Sequence, residues 1–204
     1  MQLVIASRNI HKIREFRAML KSSPNLDILT LIDFPNYQPP EETGTSFEEN
    51  SLLKATHAAQ ALQRWVLADD SGLVIPALNG APGVFSRRFA GANATDKENR
   101  LKLLKEMLHL QDPLRQGYFE CSITLASPDG MKKTVKGTCE GTIADQERGS
   151  KGFGYDPIFV KFEYGKTFAE IEEAIKNRIS HRRKALDKLL PVLETALLDK
   201  CTTS

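Results

Sequence analysis

One short run restricts what this chain folds into more than any other. The apolar residues Trp65-Val66-Leu67-Ala68 predict the end of a buried strand, and two carboxylates, Asp69 and Asp70, follow directly. Carboxylates at the end of a buried strand are costly unless a cation or hydrogen-bond donors meet them. Because neighbouring strand residues point to opposite faces, we expect one acid to face a cleft and the other to brace the turn. A Mg²⁺ ion would suit the cleft-facing oxygen, and the alternative is a solvated Asp-Asp turn.

A turn-rich basic loop follows this strand. Gly80, Pro82 and Gly83 indicate turns, and Arg87-Arg88 add positive charge. A metal-binding carboxylate that faces a basic loop indicates a polyanionic ligand, such as a phosphate chain.

Length, charge and cysteine content set the class of protein. A chain of 204 residues fits one large domain or two closely joined lobes. The net charge of +2 gives no global signal for a nucleic-acid or membrane partner. The first residues are too short an apolar run for a signal peptide, and no run is long enough to span a bilayer. None of the three cysteines forms a C-x-x-C pair, which favours a reducing, cytoplasmic location.

The N-terminal segment has the layout of an anion-binding turn. An apolar run at 3–6 predicts a buried strand, and the stripe of Ile13, Phe16 and Leu20 predicts a helix after it. The turn between them contains the cap-type residues Ser7 and Asn9 and basic residues at 8, 11 and 12. A strand, a polar turn and a helix in this order aim backbone N–H groups at an anion. The alternative is an ordinary capped helix with a basic first turn.

Further acidic residues lie in a second loop. The Pro-rich loop 34–42 ends in Glu41 and Glu42, which are candidate second ligands for a cation held by Asp70. Ser46 and Glu49 predict a capping box and a helix that starts near Phe47. Lys54 lies one turn after Asn50 in that helix, which places both on one face.

The glycine-rich loop 149–157 is a candidate base-binding segment. Its glycines allow close approach of a ligand to the backbone, Phe153 and Tyr155 offer flat faces, and Asp156 offers an acceptor. The alternative is a plain flexible loop.

A second basic cluster precedes the last helix, whose N-cap we predict to be Ser180. The cluster at 176–183 opposes the helix dipole unless a polar or anionic ligand lies there, and the alternative is a solvated basic run. Pro191 is expected to kink or interrupt this helix.

The remaining elements are predicted from periodicity and caps. They are an amphipathic strand at 118–125, a hairpin return at 135–143, a helix capped by Thr95 and Glu98 with a solvated charged face, and a short helix at 168–174 capped by Thr167.

Seven separated segments, in order along the whole chain, carry a resemblance to one family. They are SRNIHK at 7–12, EETGTSFEENSLLKA at 41–55, LADDSGL at 67–73, GAPGVFSRRFAG at 80–91, GFGYDPIF at 152–159, GKTFAE at 165–170 and KNRISHR at 176–182. The chain resembles the non-canonical purine NTP pyrophosphatases, the inosine triphosphate pyrophosphatase family. Arg8 departs from this pattern, because many relatives carry glycine there, and Pro191 is also unusual.

The resemblance implies an α/β fold with an elongated mixed sheet, flanking helices and two lobes around a central nucleotide-binding cleft. It implies a single catalytic domain over residues 1–199, with a frayed tail at 200–204. The implied reaction is Mg²⁺-dependent hydrolysis of ITP, dITP and XTP to the monophosphate and pyrophosphate by a cytoplasmic homodimer. Nucleic-acid and membrane partners are not expected. The alternative function is a pyrophosphatase of related fold that acts on pyrimidine or modified nucleotides.

The resemblance also implies roles for particular residues. Asp70 is the proposed general base, and Asp70 and Glu42 are the proposed Mg²⁺ ligands. The proposed substrate-binding residues are Ser7, Arg8, Asn9, Ile10, His11, Lys12, Ser71, Phe153, Gly154, Tyr155, Asp156, Lys176, His181 and Arg182.

Overall fold

A computed structural model describes residues 1–21, 23 and 26–202. The helices are α1 (Ile10–Met19), α2 (Phe47–Leu62), α3 (Asp96–Glu106), α4 (Glu173–Ile179) and α5 (His181–Thr202). The strands are β1 (Gln2–Ile5), β2 (Asp27–Thr30), β3 (Trp65–Val74), β4 (Gln116–Ser127), β5 (Gly130–Ile143), β6 (Phe159–Lys161) and β7 (Lys166–Thr167).

The strands form one mixed sheet in the order β2-β1-β3-β4-β5-β6-β7. Strand β1 runs parallel to β2 and β3, with Val4 opposite Val66, whereas β6 runs antiparallel to β5 and β7. The predicted α/β class, with a mixed sheet and flanking helices, is therefore confirmed. The predicted cleft stays a prediction.

The chain divides into two compact units. Unit 1 comprises Met1–Asp70, Cys121–Gly137 and Arg182–Ser204, and unit 2 comprises Ser71–Glu120 and Thr138–His181. In unit 1, alternate residues of β1 belong to different apolar clusters: Leu3 and Ile5 pack with Phe16, and Val4 packs with Ala55 of α2. Both faces of β1 are thus buried, which explains its uninterrupted apolar sequence.

Aromatic packing dominates the core of unit 2. The ring centroid of Phe119 lies 4.6 Å from that of Phe159 and 5.9 Å from that of Phe168. His181 stacks on the same Phe119 ring at 4.8 Å, and its side chain is buried. The core of unit 2 therefore fixes one residue of the KNRISHR segment.

Most predicted helix starts are confirmed. Helix α2 begins at Phe47 after the cap Ser46, Thr95 and Glu98 form a capping box before α3, and α5 begins directly after Ser180.

Two predicted features of the C-terminal third are wrong. Thr167 lies in β7, and the following helix, α4, begins only at Glu173. The Glu170 carboxylate accepts the backbone N–H of Thr167 at 2.8 Å and closes a turn there in place of a helix. The predicted interruption at Pro191 is also wrong, because helix α5 runs through that residue, whereas the alternative of a kink stays a prediction. The predicted frayed tail at 200–204 extends beyond the described residues and stays a prediction.

Over residues 1–21, 23 and 26–202, no helix has both the length and the apolar character needed to cross a bilayer.

Strands β5 and β6 pack closely at Gly141, so a substitution there tests how these two strands pair. A Cβ atom there would lie 2.4 Å from the Val160 carbonyl oxygen and 2.6 Å from Cζ of Phe159. We expect Gly141→Ala to lower the free energy of unfolding by about 2 kcal/mol, because neither neighbour is a flexible chain end. Urea unfolding measures the change, and the exposed neighbour variant Glu140→Ala is the control. Equal midpoints for the two variants would contradict this packing.

Candidate active site

The turn that follows β1 is capped as the sequence predicts. The Asn9 side chain is the N-cap of α1 and accepts the backbone N–H groups of His11 at 2.9 Å and Lys12 at 3.3 Å. The Ser7 hydroxyl accepts the Asn9 N–H at 3.1 Å. Ile10, the first residue of the helix, is 71% exposed. The turn therefore presents a fixed backbone with an apolar side chain on its surface.

Asp69 is the centre of a buried ion-pair network in unit 1. The Lys12 Nζ lies 2.9 Å from its Oδ2, and the Arg182 guanidinium reaches the same oxygen at 3.1 Å. Arg182 is 1% exposed and also pairs with the buried Glu15. Burial alone would raise the pKa of Asp69, but Lys12 and Arg182 hold it well below its usual range. The predicted strand end at Ala68 is wrong, because β3 continues through both aspartates to Val74. Asp69 therefore braces the middle of β3 against α1 and α5.

Asp70 has different partners, as the alternation along the strand predicts. The Asn50 amide donates to its Oδ2 at 3.0 Å, and the Lys54 Nζ lies 3.5 Å from its Oδ1. The same Nζ lies 3.0 Å from Oε1 of Glu42. Burial raises the pKa of Asp70, and Lys54 offsets only part of that effect. Asp70 is therefore a buried carboxylate with less compensation than its neighbour.

These contacts select one acid from the Pro-rich loop. Of Glu41 and Glu42, it is Glu42 that Lys54 holds beside Asp70. Within the described part of the chain, no three His, Cys, Asp or Glu side chains converge on a metal position. Mg²⁺ needs no such cluster, because it usually keeps several waters and takes one or two carboxylates together with substrate phosphates. The pair of Asp70 and Glu42 fits that ligand set.

The glycine-rich loop of unit 2 is folded tightly around Asp156. Its carboxylate accepts the Phe153 N–H at 2.9 Å and pairs with the buried Lys176. Gly152 has a φ of +75°, and a Cβ atom there would overlap Asp156 Oδ2 at 2.0 Å. The Lys176 Nζ lies 4.9 Å from the Phe153 ring centroid, within cation–π range. Three predicted ligand residues, Phe153, Asp156 and Lys176, are thus brought together.

Other predicted substrate-binding residues have partners within the protein. The Tyr155 hydroxyl donates to the Ser86 carbonyl at 2.9 Å, its ring is buried, and burial raises its pKa. Arg8 donates to the Tyr37 carbonyl at 2.7 Å. Ser71 is partly buried in β3. Direct substrate contact by these residues stays a prediction.

Sequence analysis missed two residues of α3 that contact the glycine-rich loop. Asp96 accepts the Gly154 N–H at 2.7 Å, and Arg100 donates to the Gly154 carbonyl at 2.8 Å. The charged face of α3 was expected to be solvated, but two of its residues bond to the glycine-rich loop of unit 2. The signal available in the sequence was the i, i+4 spacing of an acid and an arginine.

A family model described as Ham1 family matches residues 3–192 of the chain. The chain belongs to the Ham1 family. A relative called dITP/XTP pyrophosphatase from Protochlamydia amoebophila is 57% identical over 195 residues, covering 95% of this chain and 98% of the relative. A protein with the same name from Chlamydia abortus is 53% identical over 198 residues, covering 97% of this chain and 96% of that protein.

Solved structures of Ham1 proteins have the same fold. The Staphylococcus aureus Ham1 protein superposes with a TM-score of 0.85 at 43% identity, covering 96% of this chain and 100% of that one. A Ham1 protein from Coxiella burnetii gives a TM-score of 0.86 at 42% identity, covering 96% of this chain and 99% of that one. The fold and the family resemblance predicted from the sequence are both confirmed.

The two adjacent aspartates are expected to differ in their effect on stability. In Mg²⁺-free buffer at neutral pH, Asp69→Asn should lower the free energy of unfolding by about 3 kcal/mol, because Lys12 and Arg182 lose a buried counter-charge. Asp70→Asn should change it by less than about 1 kcal/mol, because burial already disfavours the ionised form. Urea unfolding of both variants and the native protein provides the measurement.

The pH dependence supplies the control for this comparison. The folded-state pKa of Asp69 is lowered, so its contribution is present above the unfolded carboxyl pKa and is lost as the pH falls. The difference between native protein and Asp69→Asn should therefore shrink in acid. A difference that is independent of pH, or equal effects of the two variants, would contradict this assignment.

Proposed function

We infer that this chain hydrolyses non-canonical purine nucleoside triphosphates, such as ITP, dITP and XTP, to the monophosphate and pyrophosphate. The observation that carries this function is the near-complete match to relatives named dITP/XTP pyrophosphatase, at 57% identity over 95% of the chain. Unit 1 contains paired carboxylates and two lysines, and unit 2 contains a loop with an aromatic face; the reaction needs each of these features.

We propose Mg²⁺ as the cofactor, with Asp70 and Glu42 as its protein ligands. When bound, the ion would neutralise phosphate charge and withdraw electron density from the phosphoryl group. Support comes from two carboxylates that share one ammonium partner, Lys54. Burial disfavours the Asp70 charge more than its protein partners favour it, so an added cation would stabilise the ionised form.

The reaction assigns separate tasks to the protein residues of unit 1. Asp70 orients an attacking water and accepts its proton, a task suited to a carboxylate that a bound cation would keep ionised. Lys54 and Lys12 supply positive charge for a triphosphate that carries about four negative charges. Because the Asn50 amide donates to one Asp70 oxygen, it leaves the other oxygen directed toward Lys54.

Base selection is assigned to the glycine-rich loop of unit 2. Phe153 provides a flat face for the base. A hydrogen-bond donor beside that face would suit the 6-oxo acceptor of hypoxanthine and xanthine. Adenine places a 6-amino donor at that position, which would leave a protein donor unpaired at about 1–3 kcal/mol. The Arg182 guanidinium already binds Asp69 and Glu15, and the N–H groups of Phe153 and Gly154 already donate to Asp156 and Asp96, so we assign none of these donors to the 6-oxo contact. From the family resemblance we also propose that the enzyme works as a cytoplasmic homodimer.

A substrate panel tests the reaction. With Mg²⁺, we expect pyrophosphate release from ITP, dITP and XTP at a kcat/KM at least about a hundredfold above that for ATP. A chelator in place of Mg²⁺ should abolish release. Prompt hydrolysis of dTTP or UTP with ITP untouched would instead support the pyrimidine alternative.

Variants of the carboxylate pair test the mechanism. We expect Asp70→Asn to remain folded and to lower kcat by about a thousandfold or more, because it removes the proton acceptor. Glu42→Gln should raise the Mg²⁺ concentration required for half-maximal turnover, and calorimetric Mg²⁺ binding should weaken in parallel. Glu41→Gln is the matched control and should behave like native protein. Unchanged turnover in Asp70→Asn would remove that residue from the mechanism.

A further inference from the structure

Gly154 lies in the glycine-rich loop, and both its backbone N–H and its backbone carbonyl bond to side chains outside that loop. Its N–H donates to Asp96 Oδ2 at 2.7 Å, and its carbonyl accepts from Arg100 at 2.8 Å. Both partners lie on α3, one turn apart. Two opposed hydrogen bonds fix the peptide groups before and after Gly154. We call Asp96 and Arg100 the α3 clamp.

The α3 clamp is itself supported by neighbouring groups. The Arg100 side chain is 12% exposed and donates to both oxygens of Glu147, at 2.9 and 3.2 Å. A guanidinium with two fixed carboxylate contacts has little freedom to move away from its third partner. The Thr95–Glu98 capping box fixes the first turn of α3, where Asp96 lies. The clamp is therefore a rigid support.

Gly154 lies between two residues of the proposed base-binding loop. Phe153 precedes it and Asp156 follows two residues later, and these are the residues that the proposed function assigns to the base. Gly154 has a φ of +59°, a conformation that its own sequence does not impose, because glycine also occupies other regions freely. Two bonds between Phe153 and Asp156 close the turn, and the α3 contacts hold the Gly154 peptide groups at its tip.

We propose that Asp96 and Arg100 are specificity-determining positioning residues, which hold Gly154 so that the loop reads the purine base at a fixed distance. The proposal rests on the proposed function. It adds Asp96 and Arg100, which are not among the predicted substrate-binding residues, as determinants of base selectivity. Neither residue handles phosphate or the attacking water. The clamp therefore acts on base recognition, and its loss changes KM and selectivity more than kcat.

The decisive experiment compares Asp96→Ala with Asp96→Asn in the full chain. Asp96→Ala removes the acceptor for the Gly154 N–H, and we expect KM for ITP to rise about tenfold while kcat changes less than about twofold. The ratio of kcat/KM for ITP to that for GTP should fall about tenfold for the same reason. Asp96→Asn keeps an acceptor oxygen and should restore native values to within about twofold.

Variants on the other side of the clamp provide an independent measurement. Arg100→Met should reproduce the changes of Asp96→Ala, and Glu147→Gln should cause a smaller change, because Arg100 keeps its bond to Gly154. Lys97→Met, at an exposed position of the same helix, is the matched control and should behave as native protein. If Arg100→Met fails to fold, the Asp96 pair decides, because Asp96 is exposed on the first turn of the helix.

Defined outcomes overturn the proposal. Native KM and selectivity in Asp96→Ala would do so, as would equal defects in Asp96→Ala and Asp96→Asn, or a fall in kcat alone. A native protein that hydrolyses none of ITP, dITP, XTP and GTP would instead refute the proposed function. The clamp is then judged from calorimetric binding of ITP and GTP to the same variants.

Discussion

A buried ion-pair network joins the middle of β3 to α1 and α5 within unit 1. Asp69 meets Lys12 and Arg182, and Arg182 also meets Glu15, so two negative and two positive side chains balance one another. Buried charges are tolerated only when each finds such a partner, which restricts where each helix can lie. The next residue along β3 is Asp70, and its position follows from that restraint.

The two aspartates are neighbours within β3, but the protein compensates their charges to different extents. Asp69 is fully compensated, and its pKa is lowered. Asp70 receives one amide donor and a more distant ammonium, and its pKa is raised. A carboxylate in that condition gains from an added cation, which stabilises its ionised form. The same contrast limits the roles left for Arg182, whose guanidinium already binds two carboxylates.

Unit 2 relies on backbone contacts to shape its loop. Gly152 leaves room for the Asp156 carboxylate, which in turn bonds Phe153 and Lys176. The α3 clamp holds Gly154 from the opposite side of the chain. A loop of this composition is flexible in isolation, and its single conformation results from partners that are distant in sequence. The conformation of this loop therefore depends on residues outside it.

Local sequence determined the features whose physics is local. The period of two along β3 predicted different partners for Asp69 and Asp70, and cap chemistry placed Asn9, whereas the apolar run 65–68 predicted the end of β3 too early. Long-range packing decided the rest. The choice of Glu42 over Glu41 depends on where Lys54 lies, and the burial of Arg182 and Tyr155 depends on carboxylate and carbonyl partners far along the chain. Pro191 lies inside α5, although its residue type alone predicts a kink or a break. Propensities and spacings describe a residue and its near neighbours, whereas the partner of a charged side chain is fixed only when the folded chain brings distant segments together.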